Sequence, residues 1–326
     1  MDVVFMFPGQ SSRYPGMLGK MCALRAENRA IVERASRLLD WDLERHFAGE
    51  QPFHRNVDVQ VGVFLTSHLF LETLQAAGVT AEISLGLSLG EYNHLVHIGA
   101  LSFEDALLTV RARGEAYDAG PRGMMASVQP LDLATVEAVI AEVREQGVVE
   151  VSNYNSPTQH VLSGEHAAVE AAIRVLEEEH YVQTVVIERQ VPMHSSLFRN
   201  VAVAFRRYLN NLNFTTPSRP YLPNRIGEFV ARPSRETFVQ TLAEHVHTPV
   251  LWRRSVEAVV ARFPDAVFVE VGPLAVLHNL LSRRWCKRPK FFTDGAGDLS
   301  EHLAALATRL HAGPIGARKE VSCTTP

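Results

Sequence analysis

The chain reads as an α/β protein: a parallel sheet covered by helices on both faces and carrying a nucleophile elbow, with a small ferredoxin-like unit inserted into it. Three features carry this expectation. Near both ends, short apolar runs stopped by glycine and proline alternate with longer stretches of helical periodicity. The middle of the chain switches to a βαββαβ rhythm. A GxSxG pentapeptide stands between a short strand and a helix.

Residues 3–7 (VVFMF) form an apolar run without alternation, ended by Pro8-Gly9, as expected of a strand buried on both faces. Between residues 57 and 77 apolar side chains recur at helical spacing (Val59, Val63, Leu65, Leu69, Phe70, Leu74), with Asn56 as the expected N-cap and Gly78 closing the other end. A strand over 82–85, a glycine-rich turn and a helical pattern from Glu91 follow. Residues 266–271 (AVFVEV) repeat the buried-strand pattern before Gly272-Pro273 and a helical run. In the middle, strands are expected at 125–128, 148–151, 160–162 and 183–187, with helices at 133–143 and 165–179. The domain reading is therefore a large unit made of residues 1–124 and 191–312, an inserted unit of residues 125–190, and a tail of residues 313–326 without periodicity, expected to be mobile.

Composition narrows the function classes. With 326 residues, 46% hydrophobic, and 32 Lys+Arg against 36 Asp+Glu, the chain has a net charge of −4, which gives no general attraction to nucleic acid or anionic membrane. Cys22, Cys286 and Cys323 form no CxxC pair, so neither a disulfide framework nor a metal site is expected. Residues 1–8 lack the basic start of a signal peptide, and no apolar run approaches the ~20 residues of a membrane span. A cytoplasmic protein is the expectation, with oligomeric state open and a monomer as the default.

Gly86-Leu87-Ser88-Leu89-Gly90 is the informative stretch. Its glycines let a strand turn sharply into a helix, so that the Ser88 hydroxyl stands at the C-terminal edge of an α/β-hydrolase-like sheet and the Leu89 N–H points at a developing oxyanion. A serine alcohol is protonated at neutral pH and needs a base. Of fourteen histidines most, such as His68 and His278, lie in helical patterns and read as packed or surface residues. His194 differs, following Pro192 where the chain re-enters the large unit.

Seven motifs then occur in an order that resembles malonyl-CoA:acyl carrier protein transacylases and polyketide-synthase acyltransferases: FPGQSS at 7–12, GLSLGEY at 86–92, VRARG at 110–114, NYNSP at 153–157, VPMHS at 191–195, TPVLW at 248–252 and EVGP at 270–273. The resemblance covers about residues 3–285. It implies that Ser88 is acylated by a thioester, that His194 takes its proton and later activates the acceptor thiol, and that the N–H groups of Gln10 and Leu89 hold the oxyanion. It also implies that Arg113 grips a malonyl carboxylate with two prongs and that Asn155 lines the cleft. Taken alone, Arg113 reads as a solvated helix arginine, and Asn155 and Gln10 as turn residues. No bound metal or redox cofactor is implied; acyl-CoA and a phosphopantetheinyl acyl carrier protein are the substrates.

The chain departs from the family at several places. Leu87 replaces the usual histidine before the nucleophile, Ser11-Ser12-Arg13 replaces GSQ, and Met193 stands where a small residue often precedes the base. His245 occupies a position where transacylases commonly carry glutamine, whose backbone carbonyl orients the catalytic histidine. The GLSLGEY form also resembles acyl hydrolases of trans-acyltransferase polyketide pathways, which would form the same acyl-Ser88 and pass it to water. Arg113 favours malonyl transfer, whereas Leu87 and Met193 favour another acyl group.

An acidic carrier protein predicts a basic rim, for which Arg283-Arg284, Lys287-Arg288, Lys290 and Arg206-Arg207 are candidates, each equally readable as a solvated face. A non-catalytic carrier-binding scaffold is a further reading, opposed by the retention of Ser88, His194 and Arg113. A nucleotide-binding α/β protein is weaker still, because no GxGxxG or GxxxxGK[ST] follows a strand.

Overall fold

A computed structural model describes residues 2–312; the expected tail at 313–326, with Cys323, lies outside them. Among the described residues, eight strands form two sheets: β1 (Asp2–Phe7), β2 (Ile83–Gly86), β3 (Met124–Gln129), β4 (Val149–Ser156), β5 (Gln159–Gly164), β6 (Gln183–Glu188), β7 (Ala266–Glu270) and β8 (Lys290–Phe292). The first sheet is parallel, in the order β2-β1-β7-β8. Its register aligns Phe7 with Gly86 and Met6 with Glu270, so the C-terminal ends of β1, β2 and β7 form one edge.

The unbroken apolar runs of β1 and β7 follow from burial on both faces. Phe5 and Phe7 pack with Phe64, Leu69 and Tyr92 on one side, while Val4 and Met6 pack with Trp252, Val256 and Phe268 on the other. The helix Asn56–Ala76 lies under the first face and is buried around nearly its whole circumference, as its lack of an amphipathic stripe requires. Its cap differs from the expectation. Asn56 is the first helical residue and Arg55 the N-cap. The Asp118 carboxylate, at the end of the helix Phe103–Asp118, accepts the Asn56 and Val57 N–H groups at 2.7 and 3.1 Å. Gly78 closes the C-terminal end at φ 78°, as expected.

The second sheet is antiparallel, in the order β4-β5-β3-β6, with the helices Leu133–Glu142 and His166–Glu178 packed over a separate core of Met124, Val128, Val136, Val151, Leu162 and Leu176. Tyr154 N–H donates to the Val250 carbonyl at 3.0 Å and Val250 N–H to the Ser152 carbonyl at 2.9 Å, which ties β4 to the segment that follows His245. β8 was not anticipated: its three residues are too short for a periodicity signal and sit in a basic stretch. Among the described residues no helix is long and apolar enough to cross a membrane.

Buried histidines set an acid limit on this fold. Burial pushes His68, His94 and His194 down to about 3 and His97 to about 4, and holds His245 well below the imidazole range. Burial raises Glu91 to about 7 and Glu270 to about 8, the opposite linkage. Between pH 4.5 and 6.5 the unfolded chain gains protons on five histidines that the folded chain refuses, whereas the folded chain keeps them on two carboxyls. Stability therefore falls as pH drops through this window, by about 1.4 kcal/mol per pH unit for each net proton. Thermal unfolding followed from pH 7 to 4.5 should show a steadily falling Tm; a flat or rising Tm there contradicts the assignment.

Candidate active site

β2 ends at Gly86, and Leu87, Ser88 and Leu89 turn the chain into the helix Gly90–His97. Both glycines are required by close approach. A Cβ on Gly90 would lie 2.0 Å from the Phe7 carbonyl oxygen, and one on Gly86 would lie 2.1 Å from the Gly90 carbonyl carbon. Gly90→Ala should therefore cost about 3 kcal/mol of stability in urea unfolding, since the obstacle is strand backbone that cannot yield. Ser88 itself sits at φ 51°, in the left-handed region that costs a non-glycine residue about 1–3 kcal/mol. Asn224 braces it: Oδ1 accepts the Ser88 N–H at 2.8 Å, and Nδ2 donates to the Gly86 carbonyl at 2.5 Å.

His194 reaches the same point from the segment after β6, also with a positive φ of 60°. Its Nε2 lies 2.8 Å from Ser88 Oγ, and its Nδ1 lies 2.7 Å from the His245 carbonyl oxygen. A carbonyl only accepts, so Nδ1 carries the proton and Nε2 presents its lone pair to the serine hydroxyl. Burial, assisted by the nearby Arg113 charge, pushes this imidazole down to about 3, against the opposing pull of the His245 and Thr248 carbonyls. The ring is neutral near pH 7 and able to take a proton. The contact of residue 245 with His194 Nδ1 is thus made by its backbone carbonyl and not by its side chain.

Arg113 is not a solvated helix arginine. It is 1% exposed, donates from Nη2 to Ser88 Oγ at 3.2 Å and from Nη1 to Gln60 Oε1 at 2.8 Å, and stacks 4.5 Å from the Tyr117 ring. Among the described residues it makes no ion pair, and its buried Nε has no hydrogen-bond partner. Gly114 allows this placement, because a Cβ there would lie 2.4 Å from the Val57 Cα on the neighbouring helix that carries Gln60.

Ser88 and His194 face a cleft between the two sheets, lined by Gly9, Gln10, Ser11, Arg13, Leu87 and Ser88 from the turns after β1 and β2, by Met125, Asn153, Ile187 and Glu188 of the second sheet, and by Met193 and His194. Leu87 and Met193 do form part of its wall, joined by Met125 and Ile187. Gln10 opens a short turn after β1, and neither its backbone N–H nor that of Leu89 donates to an acceptor among the described residues. Asn155 is a correction. It lies within β4, not in a turn, and Asn153, two residues earlier, is the asparagine that lines the cleft. The basic residues 283–290 lie away from the cleft lining, and Arg206 is paired with Glu236.

Three participants carry no role in the sequence reading: Asn224, Gln60 and the Glu91 carboxyl. Only Glu91 left a signal, as part of GLSLGEY. It is fully buried, accepting from Tyr221 Oη at 2.9 Å and from the Asn224 N–H at 3.2 Å.

Known proteins resemble this chain over most of its length. The malonyl CoA-acyl carrier protein transacylase of Bacillus subtilis (strain 168) is 30% identical over 288 residues, covering 86% of this chain and 90% of that protein. The Escherichia coli (strain K12) transacylase is 30% identical over 286 residues, covering 86% and 91%. The crystal structure of an acyl-carrier-protein S-malonyltransferase from Burkholderia pseudomallei 1710b superposes with a TM-score of 0.85 at 30% identity, covering 95% of this chain and all of that one. A malonyl-transacylase solved in complex with its type II PKS acyl-carrier protein also reaches 0.85, at 25% identity, over 95% of this chain and 100% of its own. Residues 4–290 match the family model described as the acyl transferase domain, so the chain, with Ser88 in hydrogen-bond reach of both His194 and the buried Arg113, belongs to that family.

Proposed function

We propose that this protein moves a malonyl group from CoA to the phosphopantetheine thiol of an acyl carrier protein through an acyl-Ser88 intermediate. The observation that carries the reading is the buried guanidinium of Arg113, 3.2 Å from the nucleophile and with no carboxylate in ion-pair contact among the described residues. An unpaired buried cation is costly and calls for an anion. The free carboxylate of a malonyl thioester supplies one. The activities printed for the relatives support the same substrate.

In this mechanism Ser88 Oγ attacks the thioester carbon while its proton passes to His194 Nε2. The N–H groups of Gln10 and Leu89 stabilise the oxyanion. The carbon–sulfur bond breaks, and CoA leaves with the proton from His194. The carrier thiol then gives its proton to His194 and attacks the acyl-Ser88 carbonyl, and His194 returns the proton to Ser88 Oγ as the ester breaks. The Met125, Ile187, Leu87 and Met193 wall limits water beside the ester. No metal or redox cofactor enters the reading, and Ser88 and His194 from a single chain suffice, so a monomer acting in the cytoplasm is proposed. Residues 1–124 and 191–312 are assigned to an α/β-hydrolase-like unit, and 125–190 to an inserted ferredoxin-like unit, a division supported by the separate core beneath the second sheet.

The test follows enzyme and holo carrier protein by intact mass after addition of malonyl-CoA, with Ser88→Ala as control. A Ser88-dependent malonyl adduct followed by malonyl-carrier protein is expected. No adduct, together with Ser88-dependent release of acyl groups from a preloaded carrier protein, would overturn the reading in favour of an editing hydrolase.

A further inference from the structure

Ser88 and His194 both sit at positive φ and come from segments 106 residues apart, so something must hold them in register. Their supports converge on one side chain. Asn224, which clamps the elbow through Ser88 N–H and the Gly86 carbonyl, has its own backbone N–H on Glu91 Oε2 at 3.2 Å. His245, whose carbonyl accepts the hydrogen bond from His194 Nδ1–H, places its ring Nδ1 3.3 Å from the same oxygen and stacks on the His194 ring at 4.7 Å. Its Nε2 is buried and has no hydrogen-bond partner among the described residues. We propose that Glu91, paired with His245, is a positioning residue for this reaction, one that braces nucleophile and base from two sides and makes the reactivity of Ser88 depend on the charge of the pair. The second half of the proposal rests on the acyl-Ser88 reading given above; the brace itself does not.

The groups facing the pair are Tyr221 and Tyr92, the Arg113 guanidinium, the His194 ring and Arg225, itself bridged to Glu244. Burial lifts Glu91 to about 7, opposed by the Tyr221 and Asn224 hydrogen bonds and by Arg113. Burial, with His194, Arg113 and Arg225, keeps His245 well below the imidazole range. The pair thus changes from net charge 0 to −1 as pH rises through neutrality. In the −1 state its charge offsets Arg113 and stabilises the imidazolium that forms on His194 as Ser88 attacks. Serine reactivity should rise through neutral pH, although His194 is already neutral far below it.

The decisive measurement is the rate of Ser88 modification by a fluorophosphonate between pH 5 and 9, since this probe needs no acyl group. Wild type should show a step of about tenfold centred near neutrality. Glu91→Gln, an isostere of the protonated acid, should lose the step and stay at the low-pH rate throughout. Tyr221→Phe removes a donor to the carboxylate, disfavours its charge and should move the midpoint to higher pH; it keeps the test open if Glu91→Gln does not fold. A flat wild-type profile overturns the proposal, as does a Glu91→Gln rate lowered by the same factor at every pH, which is what a purely structural role predicts. Labelling with the pH step but without malonyl uptake would sink the malonyl reading and leave the brace intact.

Discussion

Ser88→Ala and His194→Ala should each lower kcat/KM for acyl transfer by about 10⁴-fold, and the double variant should be little worse than either. Non-additivity follows from the geometry. The hydroxyl is useful only while Nε2, 2.8 Å away, can take its proton, and the imidazole has no other substrate-facing partner. Removing either abolishes the same step. The Ser88 variant should still bind malonyl-CoA with a Kd within a few-fold of wild type, because Arg113 and the cleft wall remain. His194→Ala also leaves the His245 carbonyl without its donor inside the protein, a loss of about 1–3 kcal/mol of stability, so its melting temperature should fall further than that of Ser88→Ala. More than a tenth of wild-type turnover in either single variant would exclude the pair as nucleophile and base.

How much of this was readable before folding depends on whether the signal is local. β1, β2 and β7 were legible because strands covered on both faces must be apolar throughout, and the elbow because Gly86 and Gly90 are fixed by backbone approach within a few residues. Among fourteen histidines His194 stood apart only by its place after Pro192, and the VPMHS resemblance gave it a role; the left-handed φ that aims it at Ser88 leaves no trace in composition. Arg113 in isolation looks like any helix arginine, and only the packing of its helix against the one carrying Gln60 buries it. Asn224 and His245 reach the elbow and its helix across more than 130 residues of sequence, and nothing periodic announces such contacts. Asn155 came from the NYNSP motif, and a motif match does not say which of its two asparagines, Asn153 or Asn155, faces the cleft.

Arg113→Ala should lower kcat/KM for malonyl-CoA by about 10²- to 10³-fold while leaving or raising the rate with acetyl-CoA, turning a malonyl-selective cleft into one that prefers an uncharged acyl group. The magnitude is that of a buried charge pair broken on one side, about 3–5 kcal/mol, because in the variant the malonyl carboxylate would enter a buried site without a cation. Acetyl has no carboxylate to strand, and its methyl suits the Leu87 and Met193 wall. Arg113→Lys should rescue little, since an ammonium cannot donate in parallel to both carboxylate oxygens and would lose the stacking on Tyr117. The sign of a second effect is fixed by the same contact. Arg113 is one of the groups that hold His194 low, so its removal lets the imidazole rise toward its ordinary value and moves the acid limb of Ser88 acylation with acetyl-CoA to higher pH. Competition of malonyl-CoA against acetyl-CoA, read as the ratio of the two acyl adducts by intact mass, checks the selectivity. An unchanged ratio in Arg113→Ala would mean that selectivity resides elsewhere in the cleft.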